Sequence, residues 1–167
     1  MAEAIPAFRD VAMVDGEPVY LFKKIQLLAL HLHTRFSVSN PELFRFQDIE
    51  QLSIFADNVI PMILHHLGII SLSTTDESSP CQLDIISGLQ EDLKTGRETT
   101  AERSVIFRAA ALDACEQIVE EARQFHNPSA FLANLTAEQL DAYLWRLAKK
   151  GSFRDITRFC DKETIFF

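Results

Sequence analysis

No stretch of this chain approaches the roughly 18 consecutive apolar residues that a membrane-spanning helix needs. Glycine is scarce, at five residues in 167. None of the five falls in a dinucleotide fingerprint or a phosphate-cradling loop, so nucleotide binding of those two kinds is not expected. No serine occupies a Gly-x-Ser-x-Gly elbow. Positive charge is also in deficit: 16 Lys and Arg stand against 24 Asp and Glu, for a net charge of -8. That balance argues against direct nucleic-acid binding, which needs a positive face. Only three cysteines occur, Cys81, Cys115 and Cys160, far apart and odd in number. Neither a disulfide framework nor a metal-ligand spacing follows, and free thiols in a reducing cytoplasm are expected. The first residues, MAEAIPAFRD, lack the basic start and apolar run of a secretory signal. A soluble cytoplasmic protein without metal or cofactor, making no membrane contact, is the expectation.

What the chain does have is apolar content, 47%, and a bias among aromatics toward Phe, thirteen against two Tyr and one Trp. That is enough to build one core. The periodicity is mostly helical. Phe22, Ile25, Leu28 and Leu32 recur at three- and four-residue spacing and predict a helix over 19–36, broken at Ser37–Glu42. Over 44–70 a short helix, a turn and a second helix are expected. Asp57 or Asn58 would cap the second, Pro61 would sit in its first turn and Gly68 would end it. Ser71–Gln82 reads as a polar surface loop, and 83–95 as a short amphipathic helix ending at Gly96.

Thr99-Thr100-Ala101-Glu102 and Thr136-Ala137-Glu138-Gln139 both match capping boxes. The first would open the longest helix, ending near Gln124 before Asn127-Pro128. The second would open a helix carrying Leu140, Leu144 and Leu147, closed by Gly151. Before all of these, Asp15-Gly16 is a tight-turn signal compatible with a small hairpin or a plain loop over 11–22, with Pro18 counting against the hairpin. The apolar terminus Ile165-Phe166-Phe167 is expected to dock on the core. The fold class is therefore all-α, about five or six helices, with room for one short N-terminal hairpin.

Candidate chemistry is sparse. His65-His66 are adjacent, and on a helix they point about 100° apart, which is poor metal geometry. His31 and His33 diverge in the same way. Glu116, Glu120 and Glu121 read as a solvated face, because no Glu-x-x-His motif accompanies them. Asp57 stands out between the apolar run Leu52–Ala56 and an apolar helix. A helix start favours the carboxylate anion, and a fixed anion suits one face of an oxocarbenium-like transition state. On residue physics alone, simple capping outweighs that role. Asp141 and Trp145 lie four apart on one helical face, where an acid beside a flat ring could bind a purine-like base. A surface Asp beside a half-buried Trp is the plainer reading.

Taken in order, several segments resemble the queuosine salvage family, the queuosine 5′-phosphate N-glycosylase/hydrolases. They are Phe8-Arg9-Asp10, Phe22-Lys23-Lys24-Ile25-Gln26, Asp48–Leu52 running into Phe55-Ala56-Asp57-Asn58-Val59-Ile60-Pro61, Leu67-Gly68, Leu140–Trp145, and the aromatic terminus. No single piece is specific; their order and spacing are. The resemblance implies an all-helical fold related to helix-hairpin-helix DNA glycosylases. It implies metal-free hydrolysis of queuosine 5′-phosphate, a small nucleotide, to queuine and ribose 5-phosphate. It places the catalytic acid at Asp57, a pocket-lining role at Phe55, base binding at Asp141, and a weaker contact at Trp145.

Two departures accompany it. Asn58-Val59 stand where many relatives have Tyr-Arg, so any phosphate contact of that Arg would pass to Lys23, Lys24 or Arg158. Family members are also about twice as long, so the chain is expected to form one helical domain corresponding to their C-terminal half. The competing expectation is a non-catalytic helical module. Its apolar face, over 19–36 and 100–124, would self-associate or bind a partner. A nucleic-acid glycosylase is a third reading, carried only by fold analogy and opposed by the charge.

Overall fold

In a computed structural model the protein is described over residues 4–73, 80–96, 98–126, 129–162 and 164, with the backbone alone for 80–84. It is mostly helical, with one small two-stranded sheet. All-α is therefore slightly off, because the optional hairpin is real. Strand β1 (Val11–Val14) pairs antiparallel with β2 (Glu17–Tyr20) across Asp15-Gly16. Both turn residues have positive φ, 51° and 83°, which gives a type I′ turn whose twist suits a two-residue hairpin. Pro18 is tolerated because of register. With Val14 opposite Glu17 at the turn, the Met13–Pro18 pair is one whose backbone groups point outward, so the missing N–H costs no ladder bond.

Helix α1 (Lys23–Phe36) starts later than the periodicity suggested, because Val19 and Tyr20 belong to β2. Phe22 makes the change of direction in the left-handed region, φ 50°, an uncommon state for a bulky residue. Pro41 opens the one-turn α2 (Pro41–Phe44), followed by a 3-10 turn at Ile49–Gln51. Helix α3 (Ile60–His66) carries Pro61 in its first turn. It ends at Gly68, φ 74°, where Ile69 and Ile70 N–H donate back to Leu64 O. The expected cap of α3 is corrected: Val59 occupies that position, and Asp57 lies two residues earlier.

Helix α4 (Pro80–Thr95) begins within the segment read as loop, because proline is well suited to the first turn. The remaining loop residues, 74–79, lie outside the described residues, as do Asn127-Pro128 and Ile165–Phe167. Helix α5 (Ala101–Gln124) is the longest, as expected. Its cap is a single Thr100 hydroxyl accepting from Arg103 N–H, one residue later than the expected box. After the one-turn α6 (Ala130–Ala133) comes α7 (Ala137–Leu147), opened by the full Thr136–Gln139 capping box. Its end is Ala148, and Gly151 instead begins a 3-10 turn over Gly151–Asp155.

The core is built around α3. Ile60, Ile63 and Leu64 pack with Ile54, Ala111 and Cys115 of α5, and with Leu144 and Ala148 at the end of α7. A second cluster joins Met62, Leu89, Phe107 and Phe159. Hence α3 is held between α5 and α7, and the segment entering it, Ile54–Val59, is fixed from both sides. Cys115 is buried, and burial first, then Asp141 and Glu116, pushes its thiol up to about 12, so it is an inert packing residue. Cys160 is exposed and free. Among the described residues no helix is long and apolar enough to cross a membrane.

Candidate active-site cleft

Asp57 follows an irregular segment, Leu52–Ala56, that enters the core ahead of α3. Its Oδ1 accepts from Val59 N–H at 2.7 Å, a local turn in which the side chain organises the backbone two residues on. Its Oδ2 takes the Lys23 Nζ at 3.2 Å. The carboxylate thus has one oxygen engaged by the backbone and one by an ammonium, and the residue is only 9% exposed. Asn58 turns the other way and donates to Phe159 O at 3.0 Å, tying this loop to the C-terminal segment.

Asp141, on the inner face of α7, accepts from Phe55 N–H at 3.0 Å. A carboxylate from α7 therefore clamps the backbone two residues before Asp57. Burial pushes Asp141 up to about 6, and nearby Asp57 and Glu138 push the same way. The Phe55 N–H and Lys23 oppose the shift. Trp145, one turn on, is partly exposed, and the Lys149 ammonium sits 3.1 Å from the centre of its ring.

These groups converge on one cleft of about 570 Å³, lined by Lys23, Phe55, Asp57, Asp141, Trp145 and others. All four residues singled out from the sequence line it. His31 of α1 and Arg146 of α7 also line it, positions to which the sequence reading gave no role there. Of the three cations suggested for a phosphate, only Lys23 is among the lining residues, and it is already paired with Asp57. The histidine pairs contribute nothing as pairs. His65 Nδ1 lies 3.0 Å from Ile70 O, His66 packs on Phe153, and His33 Nδ1 accepts from Phe46 N–H. Among the described residues no group of three metal-ligating side chains is assembled.

A layer behind the cleft escaped sequence reasoning. Gln26 of α1 donates to Leu21 O, and its Oε1 accepts from both the N–H and the hydroxyl of Ser53. Behind that, the Arg108 guanidinium of α5 reaches Ala56 O and both oxygens of Asp10. A signal for the second group existed. Arg108 lies in phase with Val105, Ala111, Cys115 and Val119, the buried stripe of α5, where a charge needs a partner. Asp10 is the acid that provides it.

The fold and site thus define a helical protein whose open cleft holds two aspartates, one tied to a lysine and one to a backbone amide, beside an indole ring. Over residues 1–167 the chain matches the family described as queuosine salvage protein, and it belongs to that family. It is 33% identical over 120 residues to a queuosine 5′-phosphate N-glycosylase/hydrolase of Sphaerobacter thermophilus, across 68% of this chain and 36% of that protein. A protein of the same name from Schizosaccharomyces pombe is 26% identical over 145 residues, 87% of this chain and 36% of its own length. One from Dictyostelium discoideum is 30% identical over 138 residues, 83% and 37%. The match thus spans little more than a third of each of these curated relatives.

Proposed function

We propose that this chain carries the catalytic cleft of an N-glycoside hydrolase that releases queuine from queuosine 5′-phosphate. The observation that supports it most directly is the convergence of Asp57, Asp141, Phe55 and Trp145, distant in sequence, on one solvent-open cleft. Asp57 is the anion that faces the anomeric carbon as it becomes cationic, or attacks it directly. Lys23 fixes the Asp57 oxygen that it contacts. Asp141, held by Phe55 N–H through Oδ1, accepts a hydrogen bond from the base on Oδ2. Phe55 and the indole of Trp145 supply flat apolar surface for the deazapurine. The phosphate, two negative charges on an acidic protein, falls to Arg146, with a ring N–H of His31 as a second donor, because Lys23 is engaged by Asp57. Kinship to helix-hairpin-helix DNA glycosylases belongs to the same proposal, and failure to superpose on such enzymes would remove it.

Asp57→Asn tests the reading, because the amide keeps the size and can still accept from Val59 N–H. Turnover of queuosine 5′-phosphate, followed as free queuine, should fall at least about 10²-fold while the melting temperature changes little. Retention of near-full activity would take Asp57 out of the mechanism.

A second reading has its own observation. Val11, Met13, Pro18 and Tyr20 alternate onto one face of the hairpin, and all four are exposed. A second copy of this chain pairing on that face would give a self-associating module.

A further inference from the structure

Arg108 is one of the most buried side chains in the protein, 1% exposed, and lies in the middle of α5. Ala56 and Asp10 are among the partners of its three donor nitrogens. Nε donates to Ala56 O at 2.9 Å, one terminal nitrogen to Asp10 Oδ1 at 3.0 Å, and the other to Asp10 Oδ2. Asp10 Oδ2 also accepts from the backbone N–H of Lys23 at 3.3 Å. Ala56 directly precedes Asp57, and the Lys23 side chain reaches Asp57 at 3.2 Å. The links therefore close a ring: Arg108 to Ala56, along the chain to Asp57, across to Lys23, from the Lys23 N–H to Asp10, and back to Arg108.

Burying two full charges is a poor way to gain stability, since apolar residues of similar volume often do as well. A planar guanidinium does something they cannot: it holds two partners at fixed angles through a rigid fork. We infer that Arg108, with Asp10, is a positioning residue that sets the distance between Lys23 and Asp57 from behind the cleft. Arg108 is not among the residues that line the cleft. Its effect passes through the start of α1 on one side and the peptide before Asp57 on the other. The catalytic part of this inference rests on the hydrolase reading above; the geometric part does not.

The test uses Asp10→Asn/Arg108→Met and Arg108→Lys in the full chain. The double variant removes both charges of the Arg108–Asp10 pair together, and the introduced amide oxygen can still accept from Lys23 N–H. Arg108→Lys keeps the charge and loses the fork, which covers the case in which the double variant does not fold. Two readouts are taken. One is kcat and KM for queuosine 5′-phosphate. The other is the rate of Lys23 acetylation by acetic anhydride relative to Lys150, read by mass spectrometry, with Asp57→Asn as the control for an unpaired Lys23. In a folded variant we expect kcat to fall roughly 10²-fold, as a misplacement of about 1 Å can cause. KM should stay within a few-fold, and Lys23 should label several-fold faster. Unchanged kcat, or a Lys23 that stays as protected as in the parent, overturns the inference while leaving the hydrolase reading in place. A parent chain with no turnover, whose variants still unmask Lys23, sinks the hydrolase reading and keeps the positioning of the pair.

Discussion

Asp141 holds a backbone amide in a setting that favours its protonated form. As a structural acceptor it holds Phe55 N–H, and it does so inside a buried setting beside a second carboxylate, Asp57. Burial dominates, so the folded protein keeps the Asp141 proton up to about pH 6, against 3.8 for an ordinary aspartate. Between those values the folded state binds more protons than the unfolded chain. Stability attributable to this group is therefore complete below pH 3.8 and declines as pH rises toward 6, by about 3 kcal/mol at most. Asp141→Asn, which still accepts from Phe55 N–H, should match the parent near pH 4 and exceed it in stability at pH 8. Urea unfolding across pH 4–8 reads this directly, and parallel curves for the two proteins would refute it. On the hydrolase reading the base also loses its charged acceptor in this variant, and substrate affinity should drop on the order of tenfold or more.

Among the elements, α7 and the hairpin illustrate how local signals are translated. The Thr136–Gln139 box was legible because both partners of a capping box are in the sequence at fixed spacing. The box sets where α7 begins, and so where Asp141 and Trp145 face. Thr136→Ala should cost about 1 kcal/mol, seen as a lower urea midpoint at unchanged m. The Thr99–Glu102 pattern looked equivalent and is not: the hydroxyl of Thr100 does the capping, while Thr99 is buried. A two-residue tie between neighbouring threonines cannot be broken without knowing which one faces inward. Asp57 is the same kind of case. Its side chain does bind a nearby amide, as its position before an apolar helix suggested, yet that amide belongs to Val59 and the helix proper begins at Ile60.

For the molecule as a whole, the outer face of the hairpin is the exposed apolar surface that a second copy would cover. Its inner residues, Ala12, Val14 and Val19, are half-buried, while Met13 and Tyr20 are more than half exposed. A second copy seated there would remove that apolar surface from water. Light scattering should then show mass rising with concentration. Met13→Lys/Tyr20→Lys should return it to the single-chain value without lowering the melting temperature. A parent chain that stays at the mass of one copy at high concentration would remove the self-association reading.

The sequence alone determined the helical character, a tight turn at Asp15-Gly16, the long α5 and the stops at Gly68 and Gly96, because each depends on contacts within a few residues. It also carried the four cleft residues as separate pieces, through their resemblance to a family. Only the tertiary structure decided that Lys23 faces Asp57, that Asp141 holds Phe55, and that Arg108 and Asp10 stand behind them. Those pairs are separated by 34, 86 and 98 positions along the chain. No local periodicity encodes an angle between helices; it is set by how α3 packs between α5 and α7. That packing, rather than any motif, turns scattered charges into one cleft.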